Sequence, residues 1–208
     1  MKRTALIIVD VQPTFCEGGE LAVEGGNATA RAIQDFVMRN RGDYQLIVTT
    51  QDWHIEPGNH WAEQPDFVDT WPRHGVAGTP NAALHPAIAS LNIGHHVKKG
   101  QYSAAYSGFE GIEDNGDRLQ TPEEVEQALV EGRTLNRLLQ NHGITDVDIV
   151  GIALSHCVRD TALDAKQRGF AVRVLRDLTV PVSAELGEQA VNRMRAVGID
   201  VVDVTEGE

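Results

Sequence analysis

The chain has 208 residues, 41% hydrophobic and 23% charged, the balance of a folded rather than a disordered protein. It carries 30 Asp and Glu against 18 Lys and Arg, and the formal net charge of -12 disfavours nucleic-acid phosphates and anionic membrane surfaces as partners. No apolar run approaches the roughly 18 residues of a membrane span, no secretory leader pattern is seen, and two cysteines cannot build a disulfide framework, so a reducing cytoplasm is expected.

Short apolar runs alternate with longer amphipathic stretches. Residues 5–9 (ALIIV) read as a strand buried on both faces and ending at Asp10. A helix is expected over 27–38, with Ala30, Ile33 and Val37 at helical spacing. Strands follow at 44–50, closing at Gln51-Asp52, and weakly at 95–97, closing at Lys98-Lys99. The pattern predicts one helix over 122–142, with Thr121 as N-cap and Gly143 as stop. Then come a strand at 148–152, a helix at 158–168, a strand at 171–175, a helix at 184–197 and a strand at 199–202. This alternation predicts a single α/β domain over 1–208, doubly wound, with a mostly parallel sheet covered by helices on both faces. Two long segments, 52–86 and 100–117, lack periodicity. Long loops of this kind are usually functional, and Trp53, Trp61 and Trp71 argue against disorder in the first.

In an open α/β sheet, ligands sit outside the carboxyl ends of the strands. Asp10, Asp52 and Lys99 follow the first three strands, and Cys157 lies between the fourth and its helix. At a helix N-terminus the dipole and free N–H groups favour a thiolate, and a nearby Lys99 lowers the thiol pKa further. Cys16, in a turn-like segment, reads as structural. Asp52 and His54 are two apart and share a side of an extended segment. Pro57-Gly58 turns the chain and can return His60, and His74 can add a ligand from the distal arm. One carboxylate and three imidazoles suit a divalent metal, with zinc, iron and manganese all compatible. Solvent-exposed loop histidines are the other reading. His85, His95, His96, His142 and His156 read as surface or packing residues, with His156 as a supporting group for the site.

Several segments resemble the nicotinamidases of the isochorismatase-like cysteine hydrolase superfamily, in family order over nearly the whole chain. They are Ile7-Ile8-Val9-Asp10-Val11-Gln12 with Phe15-Cys16-Glu17-Gly18-Gly19; the metal-type segment 52–60 and its continuation Trp71-Pro72-Arg73-His74; Lys99-Gly100 leading to Tyr106-Ser107-Gly108-Phe109-Glu110-Gly111; and Gly151-Ile152-Ala153 through His156-Cys157-Val158-Arg159-Asp160-Thr161-Ala162. The resemblance implies an Asp10, Lys99, Cys157 triad and a metal held by Asp52, His54, His60 and His74. It also implies a cis peptide before Ala153, with the Ala153 and Cys157 N–H groups forming an oxyanion hole. Phe15, Trp71 and Tyr106 are expected to line a pyridine pocket, core packing being their other reading. The implied reaction is hydrolysis of nicotinamide to nicotinate and ammonia, with pyrazinamide as a further substrate and a homo-oligomer left open. Rival readings are an amidase for another small amide or carbamoyl compound, a metal-water hydrolase, and a non-catalytic metal-binding protein. Leu154-Ser155 departs from the family's usual Thr-Asp, Pro13-Thr14 from its usual polar-acidic pair, and 117–132 resembles a surface insertion.

Overall fold

A computed structural model describes residues 3–204. Seven strands form one sheet: β1 (Thr4–Val9), β2 (Leu46–Asp52), β3 (His96–Lys99), β4 (Ile112–Glu113), β5 (Asp146–Ile152), β6 (Ala171–Val180) and β7 (Asp200–Val202). Their spatial order is β4-β3-β2-β1-β5-β6-β7, and every pairing is parallel except β3 with β4. The chain therefore reverses its direction of travel at β1, with β2 on one side and β5 on the other. Such a switch point opens a crevice at the carboxyl edge.

The continuous apolar runs make the central strands two-faced, as a doubly covered sheet requires. From β1, Leu6 and Ile8 pack toward α1 (Gly26–Asn40) and α2 (Pro86–Ala89). Ala5, Ile7 and Val9 face the opposite layer, which holds α4 (Leu135–Asn141), α5 (Arg159–Gln167) and α6 (Ala184–Ala196). Fully buried leucines such as Leu135 and Leu139 contribute roughly 1.5–3 kcal/mol each by leaving water. The Glu17 carboxylate accepts from the N–H groups of Gly25 (2.7 Å) and Asn27 (2.8 Å). It thereby caps the start of α1 with negative charge at its positive pole.

The single helix expected over 122–142 is two. α3 (Pro122–Val130) starts in a capping box between Thr121 and Glu124, and α4 starts at the N-cap Thr134. Gly132 between them takes φ +73°, a left-handed geometry that ends a helix and that glycine adopts without a Cβ penalty. The 3.6-residue period runs through such a break without registering it. Two elements have no sequence expectation: α2 is one turn long, and β4 is two residues that cover the edge of β3. β6 also runs five residues beyond the expected 171–175.

Candidate active site

Asp10 directly follows β1 with φ +49° and is fully buried. Its N–H donates to the Thr50 carbonyl (3.1 Å), and the Thr50 hydroxyl donates to Asp10 Oδ1 at 2.6 Å. Lys99 ends β3 in register with Asp52 at the end of β2. The Lys99 ammonium is sealed from water, lies 3.0 Å from Asp10 Oδ2, and donates to Asp52 Oδ1 and to the Ala105 carbonyl (3.0 Å). Cys157 Sγ is 3.8 Å from the same nitrogen. The carboxylate, ammonium and thiol expected at the sheet edge therefore meet there. Asp10 Oδ2 is buried with the Lys99 charge beside it, and the Asp10 carboxylate is within hydrogen-bonding reach of the Cys157 thiol.

The setting of Cys157 differs from expectation. It does not begin α5; it is the fourth residue of a π-helical turn, Leu154–Val158, in which the His156 and Val158 N–H groups both donate to the Ala153 carbonyl (3.0 and 3.2 Å). The Ile152–Ala153 peptide before the turn is cis. Nor is the thiol acidified. Burial pushes it well above its ordinary pKa, against the pull of Lys99, and the Asp10 and Asp52 carboxylates add to the rise. One ammonium cannot offset desolvation and two anions. Burial likewise raises Asp10 despite Lys99. Asp52 goes the other way: burial opposes its charge, but the Lys99 ammonium holds it well below the usual carboxylate range. Lys99 itself is raised well above its ordinary value, because Asp10 and Asp52 overcome the burial that disfavours its charge. The resting site is thus a thiol beside a lysine shared by two carboxylates.

Asp52 Oδ2 lies 3.4 Å from His54 Nε2 and 3.7 Å from His74 Nε2. Trp53, pointing the other way on the extended segment, packs with Ala77 and Ala82. His54 Nδ1 donates to the Gly100 carbonyl (2.6 Å) and His74 Nδ1 to the Pro72 carbonyl (2.7 Å). These bonds fix the tautomers and turn both Nε2 lone pairs inward. His54 Nε2 and His60 Nδ1 are buried with no hydrogen-bond partner, a costly state unless something else binds them. Burial lowers the His60 pKa to about 4, so its ring stays neutral. The ligand atoms of His54, His60 and His74 lie within 4.8 Å of one another. This donor set fits a divalent metal ion.

A cavity of about 300 Å³ opens above these groups. Its floor includes Cys157, Asp52, His60 and His74, and Phe15, Trp71 and Tyr106 all line it. Trp71 Nε1 donates to the Tyr106 hydroxyl at 2.9 Å. His156 also lines the cavity, its ring edge-on to Trp71 at 5.5 Å. Its place next to Cys157 was the signal for this. Thr50 and Phe67 carried no such signal, since one is an ordinary strand residue and the other sits in an aperiodic loop.

The Isochorismatase domain family model matches residues 4–206. The chain is 48% identical over 198 residues to the nicotinamidase/pyrazinamidase of Mycobacterium tuberculosis, covering 95% of this chain and 97% of that protein. Among solved structures, the pyrazinamidase of Pyrococcus horikoshii in complex with zinc is similar at TM-score 0.73 and 32% identity, covering 97% of this chain and 99% of the other. PnC1 from L. infantum in complex with nicotinate is similar at TM-score 0.77 and 29% identity, covering 98% and 94%.

Proposed function

The chain belongs to the isochorismatase family, and from that premise we propose that it is an amidohydrolase converting nicotinamide to nicotinate and ammonia, with pyrazinamide as a second substrate. The observation that carries this reading is the meeting of Asp10, Lys99 and Cys157 under an aromatic-walled cavity, with Lys99 Nζ 3.0 Å from the carboxylate and 3.8 Å from the sulfur.

The raised thiol and the Asp10 carboxylate within its hydrogen-bonding reach define the first step. Asp10 takes the Cys157 proton as the sulfur attacks the carboxamide carbon, and the Lys99 ammonium beside both groups stabilises the negative charge as it passes from carboxylate to sulfur. The S–C bond forms and the carbonyl electrons move to oxygen. The Ala153 and Cys157 N–H groups receive that oxyanion, an effect of roughly 3 kcal/mol per donor. As the C–N bond breaks, Asp10 returns its proton to nitrogen and ammonia leaves a thioester. Asp10 then takes a proton from water as the new O–C bond forms, and returns it to sulfur as the S–C bond breaks, which releases the pyridine acid and restores the thiol. Thr50 holds the carboxylate in place throughout by its hydrogen bond to Oδ1.

His54, His60, His74 and Asp52 would hold the metal ion, which we assign as zinc from its imidazole-rich ligand set. When bound, it supplies a Lewis-acid contact that orients the pyridine nitrogen. Phe15, Trp71 and Tyr106 grip the ring faces and exclude water. The two free, buried cysteines suit a reducing cytoplasm, and among the described residues no helix is long and apolar enough to cross a membrane. The test is ammonia release from nicotinamide, pyrazinamide and an aliphatic amide, with metal content measured on the same sample. Turnover of the two heteroaromatic amides alone is expected. Equal turnover of the aliphatic amide, or none of nicotinamide, would overturn the assignment.

A further inference from the structure

The cavity of about 300 Å³ continues outward from its buried floor to an exposed apolar rim. Cys157, His60 and His74 are all less than a tenth exposed, whereas Phe67 is 59% exposed, Val182 48% and Leu186 39%. These three, with the half-buried Leu21, line the outer cavity and bring only apolar side chains to it. Phe67 takes φ +58°, a costly conformation for an aromatic residue. The Asp66 carboxylate fastens the loop by accepting from the N–H groups of Val68, Asp69 and Thr70, each at 2.9 Å. The Phe67 ring stands edge-on to Trp71, 6.3 Å between centroids, and so continues the aromatic wall outward.

Ring geometry shows which substituents would reach that mouth. In the proposed reading the carboxamide on carbon 3 faces Cys157, and ring nitrogen 1 faces His60 and His74. Both groups belong to the floor, so carbon 2, between them, points down. Carbon 5 lies across the ring from carbon 2 and points out. From this we infer that the enzyme also hydrolyses pyridine-3-carboxamides bearing an apolar group on carbon 5, with Phe67, Val182 and Leu186 as the residues that accept the group. The inference rests on the nicotinamide reading and deepens it to a substrate class. The bonds made and broken are those already described; the substituent contributes burial of apolar surface.

The experiment compares nicotinamide, 5-phenylnicotinamide and 2-methylnicotinamide as substrates. It also measures calorimetric binding of the first two to the metal-loaded Cys157→Ala variant, a readout independent of turnover. The expected kcat/KM for 5-phenylnicotinamide lies within about tenfold of that for nicotinamide, and the 2-methyl compound is slower by at least 100-fold. The variant should bind 5-phenylnicotinamide at least as tightly as nicotinamide. Phe67→Ala should cost the phenyl compound at least tenfold more in kcat/KM than it costs nicotinamide. Normal turnover of nicotinamide with no binding or turnover of 5-phenylnicotinamide overturns this inference alone, as does an equal effect of Phe67→Ala on both substrates. No turnover of nicotinamide overturns the parent reading and this inference with it.

Discussion

Lys99 sits between two carboxylates that the sequence separates by 42 positions, touching Asp10 at 3.0 Å with both side chains sealed from water. A buried ammonium so placed stabilises its neighbours only while it remains, because removing one member of a buried ion pair leaves uncompensated charge. Lys99→Met should therefore destabilise the fold by about 3 kcal/mol and cut turnover by roughly a hundredfold or more. Denaturant unfolding and single-turnover kinetics measure the two effects. A variant with native stability and rate would show that the ammonium is dispensable.

Cys157→Ala removes the sulfur but none of the histidine contacts. Turnover should vanish while bound metal per chain stays at the native level. Elemental analysis beside an ammonia assay decides this, and residual activity near the native rate would rule out a thioester.

Thr50→Val removes the hydroxyl that donates to Asp10. That bond is one of the contacts lowering the Asp10 pKa against the effect of burial. Without it the carboxylate protonates more readily. Asp10 acts as a base only when ionised, so activity falls as pH drops through its pKa, and a higher pKa moves the fall to higher pH. The acid limb of the kcat/KM profile should shift upward in the variant. An unmoved limb would show that Thr50 does not tune the base.

Gly100→Ala tests how tightly the histidine cluster is built. Gly100 takes φ +75°, and an added Cβ would lie 2.5 Å from His54 Cε1 and 2.7 Å from His54 Nδ1. The ring must move and lose its bond to the Gly100 carbonyl, and loss of such supporting bonds costs roughly 10–100-fold in metal affinity. Competition with a chromogenic chelator should report that loss. Native affinity would mean that His54 needs no such support.

Much of this protein is legible in its sequence because strand ends carry their chemistry in order. Asp10, Asp52 and Lys99 each close an apolar run, and parallel strands in one sheet bring such ends to a common edge. The alternation of side chains likewise put Asp52 and His54 on one side and Trp53 on the other. Periodicity alone could not show the break at Gly132, since helical spacing continues across a turn of suitable length. It could not show the π-helical turn around Cys157 either, because that geometry depends on the Ala153 carbonyl receiving two N–H groups. The sign of the thiol's pKa shift was also beyond it. A helix terminus and a lysine suggest a thiolate, but the outcome depends on how much water is excluded and how many anions share the space. Residue order along the chain determined which groups could gather at the sheet edge. Folding determined their charge states, because desolvation and Coulomb energy depend on distances in space.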